Sequence, residues 1–332
     1  MSHRVVIAIV GLVMVLTAIT LDAQTKPPAS KAYTPPKTLW GDPDLQGTWT
    51  SDDCIGTPMQ RPVELGEKLY LTDAELTARE ATIARQAEND KQQFVAATAQ
   101  AVVNPPGHWG ERARRPCRQT SLVIEPANGR TPDVLPEAQV ALAARPVRNA
   151  AMPASPEDFS FYIRCITRGV AGSILPVIYG NGTKIIQSSG HVLLLQEMVH
   201  EARVIPLDNR PHAGSGFRSY MGDSRGRWEG NTLVVETTNF LAGKTGIGGN
   251  GGGTPTSDAL KLTERFTRVD ATTINYEMTV DDPKTYAKPW KVAFPITQEP
   301  GYENFEYACH EGNNAMFNSL SGARALETAQ TK

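Results

Sequence analysis

The sequence carries no surplus of either charge: 33 Lys and Arg stand against 35 Asp and Glu, a formal net charge of −2. A nucleic-acid partner calls for a basic excess gathered on one face, so that class is set aside. The one basic cluster, Arg112, Arg114, Arg115 and Arg118, is short and broken by Pro116, and reads as a solvated loop. Long apolar runs are missing beyond the N-terminal region, so no later segment reaches the ~20 residues of a spanning helix. Cysteine is scarce, four in all, with no CxxC pair, which leaves structural zinc and thioredoxin-type chemistry without their usual spacing. No Gly-Lys-Ser/Thr ending closes the glycine-rich stretch, no GxSxG elbow surrounds Ser224, and Glu197, His200 and Glu201 do not follow HExxH order. Phosphate-loop, serine-hydrolase and zinc-helix mechanisms therefore lack their motifs. No metal or cofactor set stands out by spacing.

What is present begins with MSHR, an apolar run over residues 5–19 and a small residue ahead of a polar stretch. This pattern predicts a signal peptide over residues 1–23, cut after Ala23. Proline and lysine fill residues 24–38, which read as a flexible tether. A periplasmic or secreted protein is expected, with no stable membrane insertion after cleavage. In that compartment an even number of cysteines implies two disulfides with three possible connectivities. Cys54–Cys117 with Cys165–Cys309 is preferred, because each region then closes on itself. Each bridge contributes about 3–5 kcal/mol in the chain-entropy picture. With 40% hydrophobic residues there is enough material for a sizeable core. One large β domain with an appended segment, or two domains, both fit.

Residues 39–160 form a loop-rich segment. It contains a first strand at Gly47, Thr48 and Trp49, and a helix opened by a capping box, Thr72 with Glu75. That helix is expected to run to about Gln100, with Leu76, Ile83, Ala87, Phe94 and Val95 on its apolar stripe. A short helix is expected around residues 137–144. Residues 161–325 read as an antiparallel β domain. Hairpins are signalled at Gly180, Asn181 and Gly182 and at Gly230 and Asn231, and strands at residues 290–296 and 304–309. The clearest hairpin spans residues 257–283: Leu260, Leu262, Glu264 and Phe266 share one face, and Ile274, Tyr276, Met278, Val280 and Asp282 share another. The glycine-rich loop after Phe240 reads as a mobile flap or a plain linker. The expected fold class is all-β, an antiparallel lipocalin-like barrel or sandwich behind a loop-rich segment with one helix. The Gly-x-Trp triplet resembles the start of lipocalin-like barrels, where the tryptophan closes the barrel floor; otherwise Trp49 is a core residue of a sheet.

The blocks MGDSRGRWEGNTLVVETTNF, LTERFTRVDATTINYEMTVDDPKTYAKPWKV and FEYACHEGNNAM, with the PDLQGTW entry, resemble a largely uncharacterised family of exported bacterial proteins. The resemblance implies a secreted β-rich domain and assigns no activity to any residue.

Chemistry is sought first in the acids that fall among apolar strand residues. Glu264 and Asp282 are candidate bases, since a buried carboxyl has a raised pKa suited to proton transfer. The alternative is a buried ion pair with Arg203, Arg218 or Arg225. His310, beside Cys309, and His200 are the candidate acids. In a strand, Met198 and His200 would share a face. Arg203 and Tyr220 are the expected substrate anchors; Trp228, Trp290 and Tyr307 complete the expected substrate contacts. Asp223 and Arg225 organise a turn. Two functions follow. One is an exported lyase, isomerase or hydrolase using acid–base chemistry on a small organic substrate in a barrel cavity. The other is a non-catalytic carrier of a small hydrophobic or aromatic ligand.

Overall fold

The computed structural model of the chain describes residues 33–91, 110–143 and 152–330. The expected signal peptide, most of the expected tether and the end of the first expected helix, with Phe94 and Val95, lie outside the described residues.

Strands form where apolar side chains alternate. β1 (Gly47–Trp49), β3 (Thr183–Ser188), β4 (His191–Gln196) and β5 (Ala202–Pro206) make a four-stranded sheet in the order β1-β3-β4-β5. β2 (Val123–Glu125), β6 (Asp223–Glu229), β7 (Thr232–Thr238), β8 (Lys261–Arg268), β9 (Thr273–Asp281) and β10 (Trp290–Thr297) make the second. Its order is β2-β10-β9-β8-β7-β6, antiparallel throughout. The expected β8–β9 hairpin is present with the expected inner faces: Leu262 pairs Val280, Glu264 pairs Met278 and Phe266 pairs Tyr276. β6 and β7 turn at Gly230, whose φ of +60° suits the residue without a Cβ.

One core joins the sheets. Ile185, Val192, Leu194 and Ile205 of the smaller pack with Leu233, Val235, Phe266, Tyr276 and Phe294 of the larger. At one corner Thr50 and Thr297 exchange both backbone hydrogen bonds at 2.8 Å. At the other, β5 and β6 share no ladder; the side chains of Ile205 and Leu207 reach onto Gly226 instead. The all-β expectation holds, but no barrel closes, because that edge is bridged by side chains. Trp49 is fully buried and donates from Nε1 to the Leu45 carbonyl at 2.9 Å.

Helices were under-read. α1 (Asp73–Asp90) starts at the expected Thr72–Glu75 capping box and lies on the surface, with Leu76, Ile83 and Ala87 only half-buried. α2 (Pro136–Ala143) falls where expected. α3 (Gly169–Ile174), fully buried, and α4 (Ala315–Gln330) were not foreseen. Neither the stretch before Gly180 nor residues 304–309 form the expected strands. Met198–His200 is a tight 3-10 turn, with Val199 and His200 at φ of 62° and 45°, so the strand face proposed for Met198 and His200 does not exist. Both preferred disulfides are present, Cys54–Cys117 and Cys165–Cys309.

Glu264 is buried and paired. Arg203, 6% exposed, reaches across from β5 and donates through Nη1 and Nη2 at 2.5 and 2.9 Å. The Tyr276 hydroxyl donates to the same carboxylate at 3.0 Å. Burial alone would lower the Arg203 pKa; the Glu264 charge and hydrogen bonds outweigh it and hold it above its ordinary value. Arg203 therefore spans the shared core as an ion pair. Removing one partner strands a buried charge, at a cost of about 3–5 kcal/mol. Glu264→Leu and Arg203→Met should each lower the stability read from denaturant midpoints by that order. The combined variant should lose clearly less than the two losses added.

Candidate functional site

Beside the core lies a cluster of acids organised by one asparagine. Asn181 sits in the loop before β3, buried, and accepts from the Val177 N–H through Oδ1 at 3.0 Å. Its Nδ2 faces the Val177 carbonyl at 2.8 Å, Asp52 Oδ1 at 2.7 Å and Glu111 Oε2 at 3.0 Å. Gly180 donates its N–H to Glu111 Oε1 at 3.1 Å. Gly180 makes this approach at φ of +71°, a backbone region that favours glycine.

Two staples bring Glu111 to Asp52. The Cys54–Cys117 bridge ties the segment behind Glu111 to the turn that carries Asp52. Between them, buried Asp53 accepts from the Arg114 and Arg115 N–H groups at 3.0 and 2.9 Å and from Thr297 Oγ1 at 3.0 Å. Burial, then the hydrogen bond to Asp52 and its charge, push the Glu111 carboxyl up to about 8 against the ordinary 4.5. The Gly180 N–H opposes this without offsetting it. At neutral pH the pair therefore holds one proton, on Glu111.

A third acid, Glu197, closes the cluster. Its Oε2 accepts from the Tyr302 hydroxyl and from the Gly182 N–H. Burial and that contact push the Tyr302 phenol up. A Cβ on Gly182 would sit 2.8 Å from both Glu197 Oε2 and Asn304 Oδ1 and 3.1 Å from the Tyr302 hydroxyl. Asn304 Oδ1 is buried without a hydrogen-bond partner among the described residues. Glu111, Glu197 and Tyr302 are half-buried, so solvent reaches the cluster.

On the far side of Gly180 stands Arg168, fully buried. It donates from Nη1 to the Gly180 carbonyl at 3.1 Å and from its backbone N–H to Glu201 Oε2 at 3.2 Å. Its guanidinium lies 5.9 Å from the Tyr162 ring centre, and the Tyr162 and Tyr179 hydroxyls meet at 3.1 Å. Burial lowers the Arg168 pKa and raises that of Tyr162. The Cys165–Cys309 bridge holds this wall to the segment carrying Tyr307.

The residues expected from sequence scatter around this centre. Glu264 and Arg203 neutralise each other in the core, so neither is left as a free base or a substrate anchor. Asp282, also buried, accepts from the Ser257 N–H at 2.7 Å and its hydroxyl at 2.5 Å, tying the entry of β8 to the exit of β9. Trp290 is buried with its ring 5.5 Å from Tyr286, and Trp228 packs on the core. His310 is exposed. His200, also exposed, faces the Tyr307 carbonyl through Nδ1 at 3.1 Å, which places both at the edge of the tyrosine wall. Tyr220 lies 5.4 Å from Phe161, ring to ring. His212 faces Asp223 at 3.0 Å and Glu236 at 3.3 Å, away from the other histidines; among the described residues no three His, Cys, Asp or Glu side chains gather as metal ligands do. Asp52, Glu111, Tyr302 and Arg168 were missed. The usable signals were the paired acids at Asp52 and Asp53 ahead of a bridging cysteine, and the Asn-Gly dipeptide.

No family model, no curated protein and no solved structure matches this chain.

A carboxyl whose pKa is raised on folding stabilises the fold fully below its unfolded value and loses that contribution as pH rises through its folded value. For Glu111 the window is about pH 4.5 to about 8. Stability from denaturant titrations should fall across it in the native protein. In Glu111→Gln, whose amide replaces the donated proton, the same curve should be flatter.

Proposed function

We propose that this is an exported enzyme of lyase, isomerase or hydrolase type that works by general acid–base chemistry on a small substrate at the Asp52–Glu111 pair. One observation carries the reading: a carboxyl held protonated at neutral pH beside a second carboxyl, reachable from solvent. A carboxyl that keeps its proton beside a second carboxyl supplies a donor and an acceptor in one place. Glu111 would donate its proton to a departing oxygen while Asp52 takes one from water or from a substrate carbon, and the pair then re-equilibrates. With Glu197 nearby, the local balance is negative and favours neutral, hydroxyl-bearing or cationic substrate groups. The Tyr302 hydroxyl would orient them.

Export to the periplasm or beyond is supported by the two disulfides, which fit an oxidising, extracytoplasmic compartment. Among the described residues no helix is long and apolar enough to cross a membrane. The likeness of the 221–240, 262–292 and 305–316 blocks to exported bacterial proteins points the same way.

The carrier reading has one observation in its favour, a cavity of about 220 Å³ walled by aromatic rings under the glycine-rich loop.

Purified protein should be screened for turnover of small neutral esters, lactones and hydroxy compounds. On any substrate turned over, Glu111→Gln and Asp52→Asn should each cut kcat by about 10²–10⁴, the usual worth of a placed proton donor or acceptor. Rate should fall as pH rises past about 8 and Glu111 loses its proton. Unchanged kcat in both variants would remove the assignment.

A further inference from the structure

We propose that the cavity under the glycine-rich loop binds a small aromatic carboxylate. The inference rests on the carrier reading and narrows it to one chemical class; it does not involve the Asp52–Glu111 pair.

The roof of the cavity is built, not slack. Gly251 is pressed against the backbone of α3: a Cβ on Gly172 would lie 2.1 Å from the Gly251 nitrogen, and one on Gly251 2.6 Å from the Arg168 carbonyl. A Cβ on Gly246 would likewise lie under 3 Å from the carbonyls of Gly252, Gly253 and Thr254. Side chains at these positions would push the loop off its support. The expectation of a plain linker therefore gives way to a docked cover. Below it lie Phe161 and Tyr162, with Phe161 backed by Tyr220 at 5.4 Å between ring centres. The space of about 220 Å³ exceeds the roughly 150 Å³ in which benzene is held in an engineered protein cavity. It therefore admits an aromatic ring with small substituents.

A cation lining the same space sets its substituent. Lys244 has no acidic partner among the described residues; its ammonium stands 5.9 Å from the Phe161 ring centre. A cation over an aromatic face at the mouth of a cavity draws an anionic group on a ring that enters it. Ring and carboxylate together describe a benzoate.

Isothermal titration calorimetry with benzoate and benzamide tests this directly. The protein should bind benzoate saturably and benzamide about five- to tenfold more weakly, the worth of a partly exposed charge-assisted contact. Lys244→Gln, at an exposed position, should weaken benzoate by the same factor and leave benzamide unchanged. A thermal midpoint close to the native value confirms that the variant is folded. Equal binding of acid and amide, or an indifferent Lys244→Gln, would overturn the anionic ligand while leaving a carrier of neutral rings. Failure of both rings to bind would overturn the inference and the carrier reading together.

Discussion

Two carboxyl groups set in one poorly hydrated place cannot both ionise, and the candidate site rests on that constraint. Asp52 and Glu111 come from segments far apart in sequence. They are forced together by the Cys54–Cys117 bridge, by the three donors that Asp53 collects, and by the Asn181 amide directed at both. Glu111 keeps its proton because burial penalises its charged form and because releasing the proton would place a second negative charge beside Asp52. The fold holds that arrangement in place through the corner where Thr50 meets Thr297.

Glu264 shows the opposite solution to the same problem. It is as deeply buried as any acid among the described residues, yet a guanidinium grips both its oxygens and a phenol caps one of them. Its role is to let a charged residue sit inside the shared core and to fix how the two sheets face each other. Burial alone thus does not mark a proton-transfer group. What distinguishes Glu111 is that its neighbour is another acid and that solvent still reaches it.

The hairpin of β8 and β9 was legible because a period of two needs only local alternation, and it placed Glu264 and Asp282 inward correctly. The capping box at Thr72 and the preferred cysteine pairs were legible for similar reasons: each depends on a short pattern or a simple rule. The closed barrel was not, because closure depends on whether β5 and β6 exchange backbone hydrogen bonds, and the side chains of Ile205 and Leu207 on Gly226 are a tertiary fact. α3 was hidden by its glycines and its short length. The acid pair was invisible because Asp52 and Glu111 share no element, spacing or periodicity. Three-dimensional stapling alone makes them neighbours. The Asn-Gly dipeptide did flag the loop, but as a hairpin turn, whereas Asn181 spends its side chain on the acids and on Val177.

The most direct measurement of the central claim is the infrared carbonyl band of a protonated carboxylic acid, recorded as a pH titration on the native protein and on Glu111→Gln. A protonated-carboxyl band present at pH 7, fading near pH 8 and missing from the variant is the predicted result. A native spectrum at pH 7 with no protonated carboxyl, or one that the variant retains unchanged, would contradict the account.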